Sequence, residues 1–230
     1  MSTYHSKKAK EFLKDPKKVE RHDRTFWSLR QKRDAAAAEL PEWEDLREHA
    51  SRIKEHTATH LADYLEQFSN SLERNGVIVH FAKDAQEFNE MVYGILESHK
   101  VKKLVKSKSM LTEECEMNPY LIKRGINVVE SDLGERILQL MHLKPAHIVM
   151  PAIHLTRDEI GEMFEEKGIS KEKGNHDPTY LTRCAREDLR GDFMDADAGL
   201  TGCNFGVAAT GDCVVCTNEG NADMSTSVPK

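Results

Sequence analysis

The sequence has no uninterrupted apolar run of the roughly eighteen residues that a membrane-crossing helix needs, and no apolar segment follows the charged N-terminal stretch MSTYHSKKAKEF to make a secretory signal. These absences exclude a membrane span and lead to the expectation of a cytoplasmic protein. Cysteine is scarce. Five residues, an odd and irregularly spaced set in a 230-residue chain, argue for reduced thiols and against a disulfide framework. Neither G-x-G-x-x-G nor a P-loop G-x-x-x-x-G-K-S/T is present, which disfavours the usual dinucleotide and P-loop nucleotide sites. H-E-x-x-H is missing too, so His49, His56 and His60 read as histidines at a core edge or an interface rather than as zinc ligands.

What is present is unevenly charged. The net charge is −6, yet residues 7–33 carry eleven Lys and Arg against four Asp and Glu, which makes that stretch +7 and the remainder −13. A basic arm on an acidic body can dock on protein or on nucleic acid, but the body would repel a polyanion, so no nucleic-acid partner is expected. Phe12, Val19, Phe26, Trp27 and Leu29 supply more apolar anchors than a solvated tail needs. Residues 1–40 are therefore expected to form a basic helical arm that packs on protein, with residues 41–230 forming an α/β domain.

Apolar residues from Leu46 to Leu72 recur at three- and four-residue steps, predicting one long helix from Pro41 to Asn75. An alternation follows. Strands are expected at 76–82 (GVIVHFA), 102–107 (KKLVKS), 126–131 (INVVES) and 146–153 (AHIVMPAI), separated by helices whose starts are marked by Asp84, Thr112, Asp132 and Thr156. Parallel neighbours need helical crossovers, so the pattern predicts a mostly parallel sheet flanked by helices. The polar segment 168–180 reads as a loop that could act as a lid, ahead of a helix around Leu181–Leu189. NFGVAAT and DCVVCT read as the two strands of a C-terminal hairpin.

Ligands of open α/β sheets bind beyond the carboxyl ends of the strands, where helix N-termini converge. The strand exits supply Lys106, Ser107, Lys108 and Ser109, then Glu130, Ser131 and Asp132, then His154. This set suits an anionic ligand, with His154 or Glu130 as general base or acid. The same residues also read as helix caps and solvated lysines. In the stretch GLTGCNFGVAATGDCVVCTNEGN, Gly202, Asn204, Thr210, Gly211, Asn218, Glu219 and Asn221 suit a ligand-facing wall or, equally, a sharply bent edge hairpin. Cys213 and Cys216 form a C-x-x-C with Cys203 upstream, but Val214 and Val215 place the pair in a strand, where positions three apart face opposite ways. Buried cysteines acting as small hydrophobes are the preferred reading, and a metal site of Cys203, Cys213 and Cys216 the lesser one.

Taken in order, PEWEDLREHASRIKEHT, VKSKSMLTEE, VVESDLGERILQL, HIVMPAIH and above all GLTGCNFGVAATGDCVVCTNEGNAD resemble the LUD domain of the lactate-utilisation protein B family; FWSLRQKRDAAAAELPEW in the arm is similar too. The resemblance implies a NagB/RpiA/CoA-transferase-like fold and a cytosolic complex that oxidises L-lactate to pyruvate, with the other subunits of that complex as partners. It also implies two 4Fe–4S clusters in full-length members, bound by C-x-x-C-x-x-C-x-x-x-C-P runs. No such run occurs in this sequence, so no cofactor is expected within it. The function so implied is the LUD-domain part of that complex, supporting electron transfer and assembly. The alternative is a stand-alone domain or enzyme acting on a phosphate, carboxylate or CoA-type ligand.

Overall fold

Asp15 accepts from Lys17 N and Lys18 N at 3.1 and 3.2 Å, while Pro16, which has no N–H to leave unsatisfied, takes the first helical position. These two residues start α2 (Pro16–Ala38), which follows α1 (Ser2–Phe12). The computed structural model describes residues 2–230, with the side chains of all of these except residues 2–5 and 8. The chain divides into two units, Met1–Tyr64 and Leu65–Lys230. In the first, the His22 ring lies between Phe12 and Phe26, with centroids 5.5 and 4.5 Å away. Neither α2 nor α3 (Trp43–Thr59) contains a buried residue. The single helix expected from Pro41 to Asn75 is instead two, α3 and α4 (Leu61–Arg74). The break falls at His60, whose backbone leaves the helical region at φ −112° and ψ 28° and whose ring Nδ1 donates to His56 O at 2.9 Å.

The second unit is α/β, a small parallel sheet flanked by helices with an antiparallel hairpin near the C-terminus. After α5 (Ala85–Ser98) come β1 (Lys103–Lys106), α6 (Met110–Glu114), α7 (Met117–Ile122), β2 (Asn127–Glu130) and α8 (Leu133–Met141). Then follow α9 (Arg157–Glu166), α10 (Pro178–Asp195), β3 (Ala198–Leu200), the hairpin strands β4 (Phe205–Val207) and β5 (Asp212–Val214), and α11 (Asn221–Ser227). The sheet order is β2-β1-β3, all parallel, with β1 in the middle. Successive residues of β1 and β2 serve opposite faces. Leu104 and Val128 pack with Leu96, Met117 and Leu121 from α5 and α7, whereas Val105 and Val129 pack with Leu189 and Phe193 from α10. Covering both faces buries Val105 completely, worth about 1.5–3 kcal/mol for a side chain of this class. Ile137, Met163, Phe164 and Leu181 form a further cluster between α8, α9 and α10.

Two expected strands do not form. Residues 77–82 run without ladder partners and leave Val77, Ile78 and Phe81 exposed, because β propensity needs a neighbouring edge to pair with. In 146–153 the backbone donors are taken locally. Ala146 N donates to Pro151 O at 3.0 Å, and His147 Nδ1 accepts from both Val149 N and Met150 N. Pro151 itself can donate nothing to a ladder. The third strand of the sheet comes from Ala198–Leu200, a run too short to stand out by periodicity.

Several helix starts follow the sequence signals. Asp84 accepts from Glu87 N, Asp132 from Glu135 N, and Thr156 and Glu159 form a reciprocal capping box. Thr112, expected at a helix start, lies inside α6, which begins after Ser109. The segment read as a lid is tied down, since Tyr180 Oη accepts from Lys171 N and Glu172 N and His176 Nδ1 lies 3.0 Å from Asp158.

Candidate functional site

Lys106 and Glu130 are the last residues of neighbouring parallel strands and stand opposite each other in register. They continue the face of Leu104 and Val128, so both side chains are buried. Lys106 Nζ lies 2.8 Å from Glu130 Oε1 and 2.9 Å from Oε2. Asn118 Nδ2 donates to the same carboxylate, and Gln139 accepts from Glu130 N while donating to Val128 O. Burial pushes the Glu130 carboxyl up, with the Lys106 charge and the donated hydrogen bonds pulling the other way. Glu130 is thus held by Lys106, Asn118 and Gln139 at the strand end.

Above it, the two strands continue into helices whose first turns each carry a glutamate, Glu113 in α6 and Glu135 in α8. Their carboxyl groups meet. Glu113 Oε1 and Glu135 Oε1 are buried and accept from no protein donor. Burial, then the neighbouring Glu113, raises Glu135 to about 7. Lys108 Nζ stands 3.5 Å from Glu135 Oε1, close enough for charge attraction but too far for a good hydrogen bond. Glu113, Glu135 and Glu130 line a cavity of about 490 Å³ together with Asn118, Gln139 and His142. The arrangement can take up or release a proton near neutral pH at a cavity wall, beside a lysine.

The residues singled out in the sequence are partly gathered here. Ser107 is buried, its Oγ 2.7 Å from Thr201 Oγ1, and Gly202 lies against Lys108 O and the Ser109 side chain. Glu219 accepts from Leu133 N at the start of α8, and burial followed by the nearby Asp132 raises its carboxyl. Other candidates lie elsewhere. Thr210 O accepts from Asn75 Nδ2, and Gly211, at φ +78°, lies against the Ser71–Leu72 backbone of α4, so the hairpin turn faces that helix. Asn204 Oδ1 accepts from Cys216 N, Asn218 is exposed, and Asn221 opens α11. His154 is half-buried in the turns before α9 and does not line the cavity. Cys203, Cys213 and Cys216 are exposed, not buried as their apolar neighbours suggest. Among the described residues no three or more His, Cys, Asp or Glu side chains converge as a group that could hold a metal ion. Nor is any helix among them long and apolar enough to cross a membrane.

Glu113, Glu135, Asn118 and Gln139 line the cavity but were not among the residues singled out in the sequence. Glu113 and Glu135 stand in the first turns of the helices that follow the two adjacent strands, and the fold brings those turns side by side.

The model of the LUD domain matches residues 65–230. The chain belongs to the LUD domain family. Relatives named "Lactate utilization protein B" include one from Bacillus pumilus, 47% identical over 203 residues that cover 88% of this chain and 42% of the relative. Another, from Exiguobacterium sp., is 46% identical over 201 residues, 87% of this chain and 42% of its own length. A third, from Geobacillus thermodenitrificans, is 47% identical over 194 residues, 84% and 40% respectively. The LUD chain thus spans about two fifths of the length of these curated relatives. No solved structure matches it.

Proposed function

We propose that this chain is the LUD-domain part of a component of L-lactate oxidation to pyruvate in the cytoplasm, where it supports electron transfer and assembly with the other subunits. The observation that carries the reading is the 47% identity over 88% of the chain to a protein named for lactate utilisation. The acid pair adds chemical support. Oxidising a hydroxy acid to a keto acid releases protons, and Glu135 can accept one near neutral pH. The clusters that carry electrons belong, on this reading, to the part of the relatives this chain does not match. Residues 1–40 serve as a basic docking arm, with Trp27 exposed as an apolar anchor, and the LUD domain begins by residue 41. Exchanging the matched segment of the Bacillus pumilus protein for this chain tests the proposal in cells lacking that gene. Growth on L-lactate is the expected result; a soluble chimera that gives none overturns it.

A second reading, a domain that binds a phosphate, carboxylate or CoA-type anion, is favoured by Lys108, whose buried Nζ has no hydrogen-bond partner. Ser107, Ser109 and Gly202 border that lysine, with Asn204, Asn218 and Glu219 on the connected loops and Asn221 at the start of α11. Thermal shift against lactate, sugar phosphates and CoA esters separates the two, since only the second requires stabilisation by one of them.

A further inference from the structure

Three of the five cysteines fall within residues 203–216, and all three are exposed. Their sequence spacing pairs Cys213 with Cys216, but the fold brings a different pair together. In the hairpin, Phe205 stands opposite Val214 and Gly206 opposite Cys213. The ladder is displaced just beyond this rung, because Asn204 N donates to Val214 O at 2.9 Å and Cys216 N is drawn to Asn204 Oδ1 at 2.8 Å. The displacement leaves Cys203 folded over the end of the ladder, its Sγ 3.0 Å from Phe205 O and 3.7 Å from Val214 O. There it comes within hydrogen-bonding reach of the Cys213 thiol.

We propose that Cys203 and Cys213 are a dithiol–disulfide pair, a site of reversible oxidation by low-molecular-weight disulfides. The Cys203 thiolate attacks one sulfur of the incoming disulfide, its S–S bond breaks, and one thiolate leaves and takes up a proton. Cys213, deprotonated, then attacks the Cys203 sulfur of the mixed disulfide and expels the second thiolate. Two protein thiols are oxidised by two electrons, and one external disulfide is reduced to two thiols. Cys203, folded over the open end of the ladder, takes the first attack, and Cys213, held above the ordinary thiol range by burial and the neighbouring thiol, takes the resolving step. Closing the bond locks the segment that carries Gly202 against Ser109 and Thr201 against Ser107, so the oxidation state of the hairpin reaches the strand exits.

The test uses the full chain, fully reduced and then exposed to oxidised glutathione. After the remaining thiols are alkylated, the expected product has lost two hydrogens and keeps three alkylated cysteines. Cleavage ahead of Asp212 separates Cys203 from the other two, and fragment-ion sequencing identifies the partner. The Cys203–Cys213 link should appear, be reversed by dithiothreitol, and survive Cys216→Ser, while Cys213→Ser should stop at a glutathione adduct on Cys203. A link that includes Cys216, or adducts with no internal link in the parent chain, overturns the proposal. The parent chain alone decides, so a variant that fails to fold does not leave the question open.

Discussion

Lys106 Nζ and Glu130 Oε1 lie 2.8 Å apart at the ends of adjacent parallel strands, with the lysine side chain wholly buried and the glutamate 5% exposed. A buried pair of this kind contributes little net stability, since the attraction mainly offsets the cost of removing both charges from water. Either charge left alone is another matter. Lys106→Met strands the Glu130 carboxylate and is expected to cost about 3–5 kcal/mol, whereas adding Glu130→Leu recovers most of that loss. Urea unfolding of the two single variants and the double variant measures this. A double variant as unstable as the sum of the singles would contradict it.

Glu135 gives stability a distinct pH dependence. Its carboxyl rises from an ordinary value of 4.5 to about 7 on folding, so between those values the folded chain holds a proton that the unfolded chain has released. The contribution is complete below about pH 4.5 and is lost as pH rises through about 7. Glu135→Gln cannot ionise. It should flatten this limb and exceed the parent in stability above about pH 7, read as urea midpoints at a series of pH values; parallel profiles for parent and variant would refute the assignment.

Two glycines of one segment should differ sharply in how much alanine costs. A Cβ on Gly199 would sit 1.6 Å from Ser225 O of α11, whereas one on Gly202 would find Lys108 O at 3.4 Å, with room for small adjustment. Gly199→Ala is expected to cost about 3 kcal/mol or more, at the upper end of overpacking effects, and Gly202→Ala less than about 1 kcal/mol. Thermal melts of both variants check the order, which an equal loss of stability would contradict.

The parallel α/β character was legible because KKLVKS and INVVES carry apolar residues bounded by clear helix starts, and β1 and β2 form there. HIVMPAI has equal β propensity. It fails because His147 and Pro151 redirect the backbone, a local effect that an apolar pattern does not record. The strand exits were legible as a rim through Lys106, Lys108 and Glu130. The acid pair was not, since Glu113 and Glu135 are far apart in sequence and their meeting depends on the register of β1 against β2. The hairpin glycines show the converse. Gly206 and Gly211 suggest close approach to something, and that something is α4, where Phe68 and the Ser71–Leu72 backbone lie where a Cβ would go.

The middle strand of the sheet has a bearing on how the molecule is made. β1 finds β2 soon after it emerges, but its other neighbour, β3, arrives late: 94 residues separate Ser107 from its hydroxyl partner Thr201. During synthesis one edge of β1 must therefore wait, hydrogen bonds unmade, while α6 to α10 are added. Closure over so long a loop makes folding slow, and in that interval the unpaired edge is the place where a second nascent chain would add.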